Sequence, residues 1–268
     1  MGRYRTIELS EPAYERDHLR LMTFKSPALG GRGDVTVFVP PGCEGGERLP
    51  LILLLHGVYG SHWSWSLKGG AHRTALELIE KGLLRPAVIA MPSDGLWGDG
   101  SGYLPHRSAD YEKWIVEDVV GCVTEVFPCL GEQSELFIAG LSMGGYGALR
   151  LGARYARRFR GISAHSSITH QRQLARLIEE PLASYRPLPE EETGVLHWLK
   201  KNREILPPVR FDCGTGDDLI EENRSLHREL TAAGVAHRYF EFEGGHSWAY
   251  WREHIGDTLL FFERECRR

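Results

Sequence analysis

The chain has 268 residues, of which 42% are hydrophobic and 25% charged, and its formal net charge at pH 7 is −4. These values are typical of a globular protein, and they argue against a disordered chain or a basic surface for nucleic acid. The longest apolar run, "LPLILLL", is as long as a strand and too short to cross a bilayer, so we expect no membrane partner. This length suits a single α/β domain over residues 1–268.

Short apolar segments alternate with helix-like segments along the whole chain. Alternation of this kind predicts an α/β fold, with a mostly parallel sheet covered by helices on both faces. Apolar residues recur every three to four positions over 111–127, which predicts an amphipathic helix there. The predicted strands are 35–39, 51–55, 87–92, 135–140, 161–167, 209–214 and 237–245, and the other predicted helices are 70–82, the segment after 142, 219–234 and 247–265.

Residues 165–207 interrupt this alternation with several prolines and the helix-like stretches "QRQLARLIEE" and "VLHWLKKN". The segment is too long for a simple crossover between two strands. We expect a small helical insertion over the sheet edge, which would shape the substrate pocket if it covers the site.

Two features bear on the compartment of the protein. The first 22 residues carry charges throughout and lack the apolar core and cleavage site of a signal peptide, which predicts a cytoplasmic location. The cysteines are odd in number and scattered without a C-x-x-C pair, so we expect reduced thiols and neither disulfides nor a zinc site. They are Cys43, Cys122, Cys129, Cys213 and Cys266, of which Cys213 is predicted to be a small buried strand residue.

Residues 140–144, "GLSMG", match the pattern G-x-S-x-G, in which a serine occupies a sharp turn between a strand and a helix. Chance alone gives about 0.2 matches in a chain of this composition, so the pentapeptide needs its context. An apolar strand precedes it and a good helix sequence follows it. We therefore expect Ser142 to be an exposed nucleophile above the strand ends, with a helix N-terminus beneath it.

A serine nucleophile needs a base, and the base needs an acid that holds its tautomer. Asp217 and Asp218 both follow the strand at 209–214, and Asp218 with Glu221 reads as a helix capping box, which leaves Asp217 as the favoured acid. His246 lies after the last predicted strand in a loop opened by two glycines. We prefer it over the other histidines, including His237 and His254, because it completes the order Ser, Asp, His.

An oxyanion hole needs two backbone N–H donors. Met143, which follows the nucleophile, is the first, and Val58, in the "HGVYG" loop after the strand at 51–55, is the second. His56 in the same loop is predicted to order it through a hydrogen bond, rather than to act as a base.

Four motifs in this order, "LLHGVYGSHWSW", "GLSMGGYGALRL", "CGTGDDLIEEN" and "GGHSWAYWREH", resemble the esterase D or putative esterase family of α/β-hydrolases. The family includes S-formylglutathione hydrolases, feruloyl and acetyl esterases, siderophore esterases and mycolyltransferases. The resemblance runs from about Val35 to Phe262 and implies an α/β-hydrolase fold. It also implies Ser142, Asp217 and His246 as the triad and Val58 and Met143 as oxyanion donors.

Four tryptophans lie in predicted loops after strands and are candidates to bind the substrate or, equally, to fill gaps under the loops. They are Trp63, Trp65, Trp97 and Trp248. Asp94 and Asp99 resemble metal ligands but are more typical of solvated turns, and Arg107 is interpreted as a surface arginine rather than an anion site.

The sequence thus predicts a serine carboxylic-ester hydrolase that works through an acyl-enzyme on a small acyl or aryl ester. No metal or organic cofactor is needed for that chemistry. The alternatives are a thioesterase resembling S-formylglutathione hydrolase, a siderophore esterase and, less favoured, a binding protein without turnover on the same fold. Oligomeric state is left open.

Overall fold

The computed structural model describes residues 3–43 and 48–266, the side chain of Cys266 excepted. Its centre is a nine-stranded sheet with the spatial order β1-β2-β3-β5-β4-β6-β7-β8-β9. The strands are β1 (Glu8–Leu9), β2 (Leu19–Ser26), β3 (Gly31–Phe38), β4 (Leu51–Leu55), β5 (Val88–Pro92), β6 (Leu136–Leu141), β7 (Gly161–His165), β8 (Val209–Gly214) and β9 (Arg238–Phe242).

The strands from β5 to β9 in this order pair in parallel, as the alternation of strands and helices predicts. The N-terminal strands β1, β2 and β3 pair antiparallel and extend the sheet beyond β5. Neither β1 nor β2 was predicted, because their mixed polar and apolar residues lack the continuous apolar run of a central strand.

Helices cover both faces of the sheet. The helices are α1 (Ala71–Glu80), α2 (Tyr111–Lys113), α3 (Val120–Val126), α4 (Met143–Arg154), α5 (Val195–Lys201), α6 (Ile220–Ala232) and α7 (Trp248–Cys266). A π-helical turn at Trp114–Val119 joins α2 to α3, so the helix predicted at 111–127 is present but changes its winding in the middle. None of the described helices is both long and apolar enough to cross a membrane.

Alternate residues of β4 belong to different cores, because side chains of a strand point to opposite faces. Leu53 and Leu55 pack in the core under α3, α4, α5 and α6, whereas Ile52 and Leu54 pack in the core under α1 and α7. All five residues of β4 are buried. Packing on both faces therefore holds the carboxyl end of this central strand, and the start of the loop that follows it, in place.

The segment between β7 and β8 contains α5 and several short 3-10 turns, so it is a small helical insertion as predicted. It packs against α4, where the Tyr146 hydroxyl donates to the Thr193 carbonyl at 2.7 Å, and against the loop after β5, where the Tyr185 hydroxyl donates to the Gly100 carbonyl at 2.8 Å. The insertion begins at the carboxyl end of β7, an interior strand of the sheet, and its expected position over the sheet edge stays a prediction.

A disulfide joins Cys43 to Cys129, which corrects the expectation that all thiols are reduced. The two cysteines are 86 positions apart in sequence, but the folded chain brings their segments together, and the Leu49 N–H donates to the Cys129 carbonyl at 2.8 Å. Spacing along the sequence gives no sign of this proximity. Cys213 is buried in β8, as predicted, and Cys122 is a second buried free thiol.

Candidate active site

Ser142 stands at a sharp turn between β6 and α4. Its backbone φ of 53° and ψ of −119° lie outside the regions that L-residues prefer, a strain that is typical of functional turns. The Ser142 N–H donates to the His165 carbonyl of β7 at 2.9 Å. The residue is 2% exposed, so it is buried at the end of a cavity rather than exposed as predicted.

Two glycines make this turn possible. A Cβ at Gly140 would overlap the carbonyl of Gly144, and a Cβ at Gly144 would overlap the carbonyl of Leu55 at the end of β4. The turn therefore packs directly on the central strand, with no room for side chains at these two positions. This close packing aligns Ser142 with the loop that follows β4.

His246 lies between Ser142 and Asp217. Its Nε2 is 3.0 Å from the Ser142 Oγ, and its Nδ1 is 3.0 Å from each carboxylate oxygen of Asp217. A carboxylate only accepts hydrogen bonds, so Nδ1 is the donor, and Nε2 is left to accept from the serine hydroxyl. The loop after β9 supplies His246, and the loop after β8 supplies Asp217, so three parallel strands deliver the three side chains to one edge.

The Asp217 side chain is fully buried. Burial alone would raise its pKa, but the hydrogen bond and charge of His246, with hydrogen bonds from the Leu219 N–H and the Ser166 hydroxyl, lower it instead. The carboxylate is thus kept ionised and oriented toward the imidazole.

The capping box predicted for Asp218 is wrong. Helix α6 begins at Ile220 without a side-chain cap, and the Leu219 N–H donates to Asp217 Oδ1 at 2.9 Å. Asp218 is exposed to solvent. The choice of Asp217 as the acid therefore rests on its hydrogen bonds to His246 and not on the elimination of Asp218.

The loop after β4 is ordered by His56, as expected. Its Nδ1 lies 2.7 Å from the Gly57 carbonyl, and its Nε2 accepts the Asp94 N–H at 3.0 Å. Burial lowers the pKa of His56, an effect that the nearby Asp94 carboxylate only partly offsets. Both ring nitrogens are occupied in this neutral form, so His56 is not available as a base.

The N–H groups of Val58 and Met143 have no acceptor within the described parts of the chain, whereas the next N–H, that of Tyr59, donates to the Asp99 carbonyl. Met143 is the first residue of α4, where the helix dipole places partial positive charge. A Cβ on Gly100 would contact the side chains of both residues, at 2.5 Å from Met143 Sδ and 3.2 Å from Val58 Cγ1. The side chains of the two predicted donor residues therefore both lie next to Gly100, and neither N–H has an acceptor among the described residues.

A cavity of about 320 Å³ opens beside Ser142 and His246. Of the four predicted tryptophans, Trp63 and Trp248 line it. Trp65 is 1% exposed and donates from Nε1 to the Leu55 carbonyl at 2.8 Å, so it supports the loop from below. Trp97 packs edge-on against His106 and does not line the cavity. Of the two roles left open for these tryptophans, Trp65 therefore fills a gap under the loop, and Trp97 is not placed to contact a substrate in this cavity.

The sequence interpretation did not predict several residues of the cavity wall, among which four have long or aromatic side chains. Trp251 packs its ring edge-on against the His246 ring at 5.0 Å, one turn of α7 after Trp248. Its i, i+3 spacing from Trp248 is a signal that could have identified it. Tyr59, Lys68 and Leu177 complete the set, and the Tyr59 hydroxyl donates to the Leu177 carbonyl, so the insertion reaches the cavity at this point.

The remaining candidates lie elsewhere. Asp94 is buried rather than solvated, and it accepts from the N–H groups of Leu96 and Ser101. Arg107 is exposed and lies outside this cavity. Within the described ranges, no group of three or more histidine, cysteine or acidic residues is placed to hold a metal ion.

A second histidine–aspartate pair, which was not predicted, lies under the turn at Ser142. The His165 Nδ1 is 3.0 Å from Asp212 Oδ1, and its Nε2 is 2.9 Å from the Thr258 Oγ1. Arg210 and the Tyr250 hydroxyl also donate to Asp212. Both side chains of the pair are fully buried, so this is an internal polar network.

Comparisons with known proteins identify the family of this chain. The sequence model of the family described as "Putative esterase" matches residues 26–262. An acetyl esterase of Caldicellulosiruptor saccharolyticus is 29% identical over 236 residues, which are 81% of this chain and 85% of that protein.

Solved structures with a similar fold include a ferulic acid esterase, with a TM-score of 0.79 and 22% identity over 97% of this chain and 99% of that one. The S-formylglutathione hydrolase of Staphylococcus aureus has a TM-score of 0.75 and 20% identity over 95% and 98%. These likenesses show the α/β-hydrolase fold, and the family match spans most of the sequence. The chain belongs to the putative esterase family and is a carboxylic ester hydrolase.

Proposed function

We propose that the protein hydrolyses a small acyl or aryl ester through a Ser142–His246–Asp217 triad and an acyl-enzyme intermediate. The observation that carries this proposal is the continuous hydrogen-bond path from Ser142 Oγ through His246 to Asp217, with each distance at 3.0 Å. These distances lie within the range in which a base can take the proton of a serine hydroxyl.

In this mechanism Ser142 Oγ attacks the ester carbonyl while His246 Nε2 takes the hydroxyl proton. The N–H groups of Met143 and Val58 receive the developing oxyanion, and they need no reorganisation because no other acceptor within the described residues competes for them. His246 then protonates the leaving alcohol, and a water activated by the same ring releases the acid. Asp217 holds the imidazole in the tautomer that both steps require.

The cavity supports a small or aryl substrate. Its volume of about 320 Å³ is near the lower end for small-molecule sites, and its walls include Trp63, Trp248 and Trp251. Flat aromatic walls favour an aryl group or a short apolar chain. The acetyl esterase relative and the ferulic acid esterase of similar fold carry names that fit these two classes.

Thioester cleavage is the second candidate. An S-formylglutathione hydrolase of Arabidopsis thaliana is 26% identical over 159 residues, which are 54% of this chain and 55% of that protein. The same triad serves either leaving group, so a comparison of kcat/KM for S-formylglutathione and for aryl acetates separates the two candidates. An enterobactin esterase of similar fold makes a catecholate ester a useful third substrate in that panel.

A cytoplasmic location stays a prediction, and the Cys43–Cys129 disulfide runs against it, because disulfides persist mainly in oxidising compartments. Alkylation of free thiols immediately after cell lysis distinguishes a cytoplasmic location from an oxidising compartment. An alkylated pair would support the cytoplasm, and a protected pair would support an oxidising compartment.

The test of the proposed function is Ser142→Ala beside Ser225→Ala, a serine that donates to Glu229 on α6. We expect the first variant to lose hydrolysis of para-nitrophenyl acetate and labelling by a fluorophosphonate, while its thermal unfolding is nearly unchanged. The second variant should keep both. Full hydrolysis by Ser142→Ala, or a wild-type protein that the fluorophosphonate does not label, would overturn the proposal and favour a binding protein.

A further inference from the structure

Lys68 gives the proposed substrate cavity an unusual charge. No aspartate or glutamate lines the cavity, and apart from His246 the other lining residues are aromatic, aliphatic, glycine or serine. The ammonium group of Lys68 forms no ion pair within the described chain. One solvent-exposed positive charge therefore lies on a mostly apolar wall, and no acidic residue of that wall neutralises it.

A chain of ring contacts relates Lys68 to the reacting groups. The Lys68 Nζ lies 5.7 Å from the centroid of the Trp248 ring. The Trp248 ring is 5.2 Å from that of Trp251, which is 5.0 Å from that of His246. Lys68 and His246 thus line the same cavity, and the two indole rings lie between them along its wall.

We propose, resting on the esterase function proposed above, that the preferred substrate is an aryl ester carrying a carboxylate at its far end, and that Lys68 binds this carboxylate. The aromatic spacer lies along Trp248 and Trp251. The ammonium group exchanges its contact with the Trp248 ring for a charge-assisted hydrogen bond. The long lysine stem lets the charged end follow the ligand while its methylene groups stay on the indole.

The main competing explanation is that Lys68 only covers a tryptophan ring. The chain offers a matched control, because Lys201 Nζ lies 4.9 Å from the Trp198 ring centroid on α5, away from the cavity. If a lysine on a tryptophan is merely structural, Lys68→Met and Lys201→Met should have the same effect on ester selectivity.

The experiment uses two pairs of esters, each with one carboxylate and one neutral carboxamide member. Para-acetoxycinnamate and para-acetoxycinnamamide place the difference on the alcohol half. The mono-para-nitrophenyl ester of terephthalic acid and para-nitrophenyl para-carbamoylbenzoate place it on the acyl half. The quantity measured is the ratio of kcat/KM within each pair, at low and high salt, for wild type, Lys68→Met, Lys68→Arg and Lys201→Met.

We expect the wild-type ratio for at least one pair to favour the carboxylate by about two- to five-fold at low salt, which is the size of a partly exposed ion pair. Lys68→Met and high salt should each remove this preference, whereas Lys68→Arg and Lys201→Met should retain it. A wild type that prefers both carboxamides, or a ratio that Lys68→Met leaves unchanged, would overturn the proposal.

If neither pair is hydrolysed, all four esters are measured as competitive inhibitors of para-nitrophenyl acetate hydrolysis. A preference for the carboxylate then means that the carboxylate member of a pair has the lower Ki, and the same outcomes apply. A wild type that binds none of the four would also overturn the role of Lys68. Labelling of Ser142 by a neutral fluorophosphonate is followed in every variant. Loss of the anion preference in Lys68→Met with normal labelling supports the role of Lys68 in binding the carboxylate. Absent labelling in the wild type would contradict the proposed triad.

Discussion

Within residues 3–43 and 48–266, two histidine–aspartate pairs end on a hydroxyl, and they differ in their surroundings rather than in their geometry. His246 joins Asp217 to Ser142 at 3.0 Å on each side. His165 joins Asp212 to Thr258 at 3.0 and 2.9 Å. The His246 side chain is 32% exposed and lines a cavity, whereas the His165 side chain is inaccessible.

Residue types and hydrogen-bond distances alone therefore do not define a reactive site. Thr258 is fully buried in the middle of α7, so no carbonyl group can approach its hydroxyl from solvent. A cavity opens beside Ser142, and the N–H groups of Val58 and Met143 have no acceptor among the described residues. The buried pair instead supports the turn from below, since the His165 carbonyl accepts the Ser142 N–H.

The largest expected contrast is between His246→Ala and His165→Asn. Loss of the base should reduce kcat by about 10⁶ and leave the thermal midpoint nearly unchanged. His165→Asn should lower the thermal midpoint, because it breaks a buried network, and keep the kcat of the folded fraction within about three-fold. Steady-state kinetics and thermal unfolding of both variants check this, and equal losses of kcat would contradict the assignment of the two pairs.

Asp212→Asn should mainly lower the stability of the fold, whereas Asp217→Asn should mainly lower kcat. Asp212 accepts hydrogen bonds from His165, Arg210 and Tyr250, so its replacement leaves buried donors without their charge partner and should cost about 3–5 kcal/mol. Asp217→Asn should cost less stability but lower kcat by about 10³ to 10⁴, because the imidazole loses its tautomer. Chemical denaturation and kinetics measure the two effects.

The pH dependence of stability sharpens this prediction. Burial would raise the pKa of Asp212, but its pairing with His165 and then Arg210 outweighs burial and lowers it. A lowered folded-state pKa means that the carboxylate stabilises the fold above its unfolded pKa of about 3.9, and that this contribution is lost as the pH falls through the folded value. Asp212→Asn should therefore show a shallower loss of unfolding free energy in acid than wild type, and parallel curves would contradict the lowered pKa.

The sequence was sufficient for the parallel half of the sheet and for the turn at Ser142, because continuous apolar strands and the G-x-S-x-G pattern are local signals. His246 and Asp217 could be chosen because they follow predicted strands and complete the order Ser, Asp, His along the chain. The roles of these residues stay predictions until the variants are measured.

Features that depend on distant segments could not be predicted. The Cys43–Cys129 disulfide, the buried His165–Asp212 pair and the position of the insertion all join parts of the chain that periodicity treats separately. Trp65 and Trp248 are both indoles in loops after strands, and only the fold separates the buried one from the one that lines the cavity.

Thr258→Val should have an intermediate effect, on stability alone. The Thr258 hydroxyl contacts both His165 Nε2 and Ser163 Oγ, and valine leaves both without this partner, at a cost of about 1–3 kcal/mol. Thr231→Val, which removes an exposed hydroxyl that donates to the His227 carbonyl, is the matched control and should cost much less. Equilibrium denaturation measures both, and a loss of kcat in folded Thr258→Val would give the buried pair a part in the reaction.

The smallest expected effect distinguishes two buried serines, one in each network. Ser166 accepts the Trp251 Nε1–H at 3.2 Å and hydrogen-bonds to Asp217, so it links a cavity wall to the acid that orients His246. Ser163 is 2.6 Å from Thr258 in the other network.

Ser166→Ala should lower kcat by about five-fold with little change in KM, because losing one hydrogen bond to the carboxylate is worth about 1 kcal/mol. Ser163→Ala should leave kcat unchanged while lowering stability by a similar amount. Kinetics and denaturation of the two variants are compared directly. If the two serines exchange these effects, the buried network rather than the Trp251–Ser166 contact holds Asp217 in place.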